Sequence, residues 1–169
     1  MCAGAALLVA TDWRVSVAEF APDVELVLRR SGWFPNRAVE ISGYKDRLPG
    51  FMWHEAAERF LEEFGGIRVD LQGPGRSVAK EPFEIDPELA AGEEGRFEEL
   101  SQKFDRQLFP VGEFGQGEHF LAVDQESILY LVGSSVFRLG ISTEGIGKLV
   151  LGIQGARLKI YRRPPILGG

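Results

Sequence analysis

Met52-Trp53-His54-Glu55-Ala56-Ala57-Glu58-Arg59-Phe60-Leu61-Glu62-Glu63-Phe64-Gly65-Gly66-Ile67-Arg68-Val69-Asp70-Leu71 changes its hydrophobic period partway along, and that change decides the fold class. Up to Phe64 the apolar residues Trp53, Ala56, Ala57, Phe60, Leu61 and Phe64 recur at spacings of three and four. Glu55, Glu58, Arg59, Glu62 and Glu63 occupy the other face, so an amphipathic helix is predicted from about Met52 to Phe64. Gly65-Gly66 then supplies the positive-φ stop that helix C-termini commonly use. From Ile67 to Leu71 apolar and polar residues alternate, the pattern of a strand with one buried face.

Upstream, Pro22 suits a first helical turn, and Val24, Val27 and Leu28 form an apolar stripe that Ser31-Gly32 ends. Trp33-Phe34-Pro35-Asn36-Arg37 reads as a turn with aromatic anchors. Downstream, Gly73-Pro74-Gly75 breaks the chain, Phe83-Glu84-Ile85 is a short extended piece, and Asp86-Pro87 starts a turn or brief helix. Phe97, Leu100, Phe104 and Leu108 predict a helix over 96–108, ended by Pro110 and Gly112 and followed by a Gly-rich loop through Gly115 and Gly117. His119 to Val123, Ile128 to Val132 and Val136 to Leu139 are joined by turn-length gaps and read as an antiparallel meander. Ser142 is read as the cap of a last helix, with Ile146, Leu149 and Val150 inward and Gly152 closing it. Helices followed by clustered strands indicate α+β: one domain over 1–169, largely an antiparallel sheet with helices packed on one side.

Composition sets the outer limits. A chain of 169 residues buries roughly 68–70% of its unfolded surface, and twelve Phe and three Trp furnish the core. Cys2 is the single cysteine, which excludes an intrachain disulfide, fits a reducing, cytoplasmic setting, and is read as incidental. The apolar run from Ala5 to Ala10 is too short to cross a bilayer and lacks the basic flank of a signal peptide, so neither targeting nor membrane contact is expected. Net charge is −6, and the excess acid is concentrated in residues 51–110, with 14 Asp or Glu against 7 Lys or Arg. Such a balance disfavours nucleic acid as a direct partner, because phosphate affinity rests on Lys and Arg. The segment 153–169 forms a basic C-terminal tail.

Reactive constellations are missing. His54-Glu55-Ala56-Ala57-Glu58 starts like a zinc-protease helix, but that chemistry needs a second imidazole one turn on, where Glu58 stands. His54 is therefore read as a solvated residue paired with Glu58. His119 has no second ligand near it in sequence. Gly73-Pro74-Gly75 and Gly115-Gln116-Gly117 lack the Lys-Ser/Thr of a phosphate loop. No metal, cofactor or catalytic residue is expected.

The order of short motifs resembles the SUKH superfamily of bacterial immunity proteins, and within it the third immunity subgroup. The resemblance is carried by Gly32-Trp33 with Pro35 and Arg37, Ala57 to Gly66, Gly73-Pro74-Gly75, Asp86-Pro87, and Leu108-Phe109-Pro110-Val111-Gly112-Glu113. Leu121 to Asp124 with Tyr130, Leu139-Gly140, and Leu149 to Gly152 complete it, over about residues 30–152. Two positions depart from the pattern: Gln125-Glu126-Ser127 lacks an expected turn glycine, and Gly145 stands where the family tends to favour Ala.

The resemblance implies an α+β immunity protein, not an enzyme, that binds and blocks a cognate protein toxin, typically a nuclease or nucleobase deaminase. A basic toxin cleft would be steered by an acidic surface. Glu81, Glu84, Asp86, Glu88, Glu93, Glu94, Glu98 and Glu99, with only Arg96 among them as counter-charge, form the predicted partner-binding surface. The alternative is a cytosolic interaction or regulatory module without a toxin partner. A small-molecule enzyme would require a carboxylate of raised pKa beside convergent polar groups.

Overall fold

The periodic helix is present as α3 (Glu55–Phe64), preceded by α1 (Pro22–Arg30) and α2 (Ser42–Arg47), in a computed structural model that describes residues 19–160. Cys2, the apolar run 5–10 and the tail beyond residue 160 lie outside the described residues. Seven strands follow in chain order: β1 (Arg68–Val69), β2 (Phe83–Glu84), β3 (Phe109–Phe114), β4 (His119–Val123), β5 (Ile128–Val132), β6 (Val136–Ile141) and β7 (Ala156–Arg157). They form one sheet whose spatial order is the chain order, with every neighbouring pair antiparallel. A 3-10 helix (Pro87–Ala90) and α4 (Glu94–Phe104) lie between β2 and β3, and α5 (Ser142–Leu151) follows β6. This is the antiparallel α+β class that the sequence predicts, but helices cover both faces of the sheet and not one, because α4 lies on the side opposite α5.

Helix ends are set by local chemistry. Gly66, at φ +79, provides the positive-φ residue after α3. Arg37 donates to the carbonyls of Glu63 and Gly65 (both 2.7 Å), satisfying acceptors that the end of α3 leaves open. Trp33 is 3% exposed, and its indole N–H donates to Glu63 (3.2 Å), so it belongs to the core. Burial raises the pKa of the Glu63 carboxyl, an effect the Trp33 hydrogen bond opposes.

Leu121, Ala122 and Val123 of β4 are all buried, as are Ile128, Leu129 and Tyr130 of β5, so both faces of the central strands are covered. On one face Leu129 meets α5, which contacts α1, and α3 contacts β3 and β4. To this helical layer α4 adds cover on the opposite face, where Phe97 packs edge-on against Phe120 at 5.7 Å. That placement follows from strand alternation, since Phe120 and Leu121 point to opposite sides.

Three local readings are corrected. Pro110 and Gly112 do not end a helix but lie within β3, where a register shift between them accommodates the proline. A Cβ on Gly112 would stand 2.0 Å from the Glu84 carbonyl oxygen, so glycine is there for the close approach of β2. Ser142 does not cap α5 with its side chain; its hydroxyl donates to the Ser127 carbonyl (2.8 Å) and ties the helix start to the β4–β5 turn. The alternating stretch 67–71 yields only the two residues of β1.

Gly145 is explained by packing: a Cβ there would lie 2.8 Å from Leu129 Cβ. Alanine would gain about 1 kcal/mol of helix propensity, but overpacking of a filled core costs about 1–3 kcal/mol. Gly145→Ala is expected to lower stability by about 1 kcal/mol on balance, read as a lower urea midpoint with unchanged slope.

Candidate functional site

The helix that carries three of the eight predicted carboxylates, with a fourth at its N-cap, starts and stops earlier than its apolar pattern suggests. Inward-facing Phe97, with partly buried Leu100 and Phe104, holds α4 on the sheet. Asp105, at φ +53, ends it in the left-handed conformation that Asp tolerates better than most side chains. Arg96 lies over the Phe120 ring (5.6 Å) and donates to the Gly133 carbonyl (3.3 Å). At the far end Arg106 lies over Tyr130 (5.9 Å). The helix is thus pinned at both ends across β4 and β5.

The eight carboxylates fall into three places. Glu94, Glu98 and Glu99 sit on α4 and Glu93 is its N-cap residue, where Glu93 pairs with Arg96 (3.6 Å) and Glu98 and Glu99 are exposed. Glu84, Asp86 and Glu88 occupy β2 and the start of the 3-10 helix, where Asp86 accepts from the Glu88 backbone N–H (2.9 Å). Glu81 stands apart, lining a groove of about 250 Å³ with Phe114, Leu131, Phe137 and Leu149. The Glu84 to Glu99 segments are linked by the α2 end: Arg47 pairs with Glu88, and Gly50 abuts the Glu94 side chain. Counter-charge is therefore richer than Arg96 alone, with Arg47 and Arg68 supplied by other segments.

One member of this surface is hidden from the sequence. Glu113 of β3 lies directly opposite Glu84 of β2, a like-charge pair across the ladder. Desolvation raises the Glu113 pKa first, and Glu84 and Asp86 add to it. Burial likewise raises Asp86, against the lowering effect of Arg47. The pairing becomes visible only once residues 109–114 are recognised as a strand.

His54 is not a solvated partner of Glu58. It caps α3: Nδ1 accepts from the Ala57 backbone N–H (3.1 Å), and Nε2 faces the carbonyls of Gln107 (3.1 Å) and Val123 (3.2 Å). These contacts select the neutral tautomer with the proton on Nε2. Glu58 pairs instead with Lys45 (2.7 Å). Desolvation holds the folded-state pKa of His54 below its ordinary value, despite the two carbonyls. The unfolded imidazole takes up its proton near pH 6.5, so below that pH the unfolded state binds more protons and stability falls with pH. Urea midpoints between pH 7.5 and 5.5 should show this decline, and His54→Asn, which retains a capping oxygen, should remove it.

Among the described residues Asp124 is the one fully buried charged side chain. Its Oδ1 accepts from the backbone N–H groups of Glu126 (2.9 Å) and Ile128 (3.0 Å), and its Oδ2 from the Tyr130 hydroxyl (2.7 Å) and Arg106 (3.3 Å). Burial, then the hydrogen bond to Asp124, push the Tyr130 pKa well up. Four donors converging on one carboxylate anchor a turn. No group of three or more His, Cys, Asp and Glu among the described residues is placed to hold a metal, and no helix there is long and apolar enough to cross a membrane.

A family model described as SUKH-3 immunity protein matches residues 20–152. The match begins before residue 30, so α1 is inside it, and it ends at Gly152, the left-handed residue that closes α5. No curated protein and no solved structure matches the chain.

Proposed function

The chain belongs to the SUKH-3 immunity protein family, and from that premise we propose that it binds the catalytic domain of a cognate bacterial toxin and neutralises it by occlusion. Membership in the family carries the reading. We further propose that the toxin is a nuclease or nucleobase deaminase with a basic cleft, that the chain acts in the cytoplasm of the producing cell, and that it performs no catalysis itself. The charge distribution supports the first point: the carboxylates of α4 and of the β2–β3 region would attract the basic groups of such a partner at long range.

Co-expression with the toxin domain encoded beside the gene tests the proposal. Growth rescue together with a stable complex on size exclusion is the expected result. Failure of both would favour a regulatory interaction module, and rescue without a complex would point to turnover of the toxin's product.

A further inference from the structure

Between α4 and the Gly50–Met52 turn lies a cleft of about 530 Å³ whose walls differ in chemistry. One wall is a stripe of α4 at spacings of three and four that includes Glu94, Glu98 and Asp105. The other carries Phe51 and Met52, and Met52 is 70% exposed, the most exposed large apolar side chain among the described residues. Neither Glu98 nor Asp105 has a basic partner among the described residues, and the one cation in the lining, Arg106, is committed to Asp124 and Glu126. An aspartate in the left-handed conformation at a helix C-terminus also opposes the helix dipole, so stability alone would place glycine or asparagine there.

An apolar lip beside unpaired carboxylates complements a side chain with an aliphatic stem and a cationic head. We propose that this cleft is the docking site for a Lys- or Arg-bearing segment of the toxin, with the stem on Met52 and the charged head at Glu98 and Asp105. This rests on the immunity reading and adds to it the surface and the chemistry recognised. Docking would withdraw the stem and its ion pair from water, so loss of the contact acts mainly on the dissociation rate.

The chain has two methionines, Met1 and Met52, so methyl-labelled methionine gives two NMR signals, one of them in the cleft. Unlabelled toxin domain from the neighbouring gene, made catalytically inert, is the probe. The Met52 signal is expected to shift or broaden on complex formation, and Met52→Ala and the Glu98→Gln/Asp105→Asn pair are each expected to weaken binding about tenfold or more. These positions are solvent-facing, and unchanged urea midpoints verify that the variants fold. A wild-type complex with an unmoved Met52 signal and variant affinities within about twofold overturns the cleft assignment while leaving neutralisation intact. Absence of any wild-type complex overturns both.

Discussion

Asp124→Ala is expected to destabilise the fold by about 3–5 kcal/mol, the loss typical of breaking a buried charged network by removing one partner. The Tyr130 hydroxyl and the Ile128 N–H would be left buried without an acceptor, and Arg106 would lose its deepest contact. Asn at the same position keeps an oxygen for the two backbone N–H groups, so about 1–2 kcal/mol is expected for it. Tyr130→Phe removes one hydrogen bond to a charged acceptor and should cost about 1.5–3 kcal/mol. Urea unfolding orders the three variants. A loss below about 1 kcal/mol for alanine would mean that the turn is held by its backbone alone. The raised pKa of Tyr130 adds a pH signature. Its stabilisation is complete below the unfolded value near 10 and is lost as pH rises beyond it, because the unfolded state gives up the proton first.

The same turn shows where sequence reading stops. Gln125-Glu126-Ser127 replaces an expected glycine, and the structure keeps the positive φ at that place: Ser127 adopts φ +63, held by its N–H donating to the Asp124 carbonyl (3.1 Å). Hydrophobic pattern revealed α1, α3 and α5, because each buries one continuous stripe, and the three strands from His119, because each is a short apolar run between turns. It failed at β3, where Pro110 and Gly112 carry the ordinary signature of a break, although their conformations are required by a bulge and by the approach of β2. It also failed at α2, six residues with no buried side chain of their own, and at β7, two exposed residues paired to β6. The acidic surface was legible as a run along the chain but not as a shape. Glu81 turns to a different groove, Arg47 and Arg68 arrive from other segments, and Glu113 joins from a strand the pattern concealed. Met52 and Asp105 gave no sequence signal, because neither the exposure of an apolar side chain before a helix nor a left-handed residue at a helix end is written in the hydrophobic period.

Reversing Glu93, Glu94, Glu98 and Glu99 to Lys is expected to slow association with the toxin domain by about 10- to 1,000-fold at low salt, the range that electrostatic steering spans. Each reversal adds two positive charges, so the formal net charge moves from −6 to +2. The fold should survive, since the exposed Glu93–Arg96 pair contributes at most about 1 kcal/mol and the acidic first turn of α4 about 0.3–1 kcal/mol. Global charge and local placement are separated by matched pairs: Glu94 with Glu98 on α4, against Asp23 with Glu25 on α1, on the α5 side of the sheet. Both pairs change net charge equally, so a rate that falls much further for the α4 pair assigns the steering to that face. Equal losses would reduce the effect to net charge and place the contact elsewhere. Salt dependence provides the second axis: the wild-type on-rate should fall steeply as ionic strength rises and the Debye length shortens to about 8 Å at 0.15 M. The fourfold variant should lose that slope or invert it, because its face repels the cations that the native carboxylates attract.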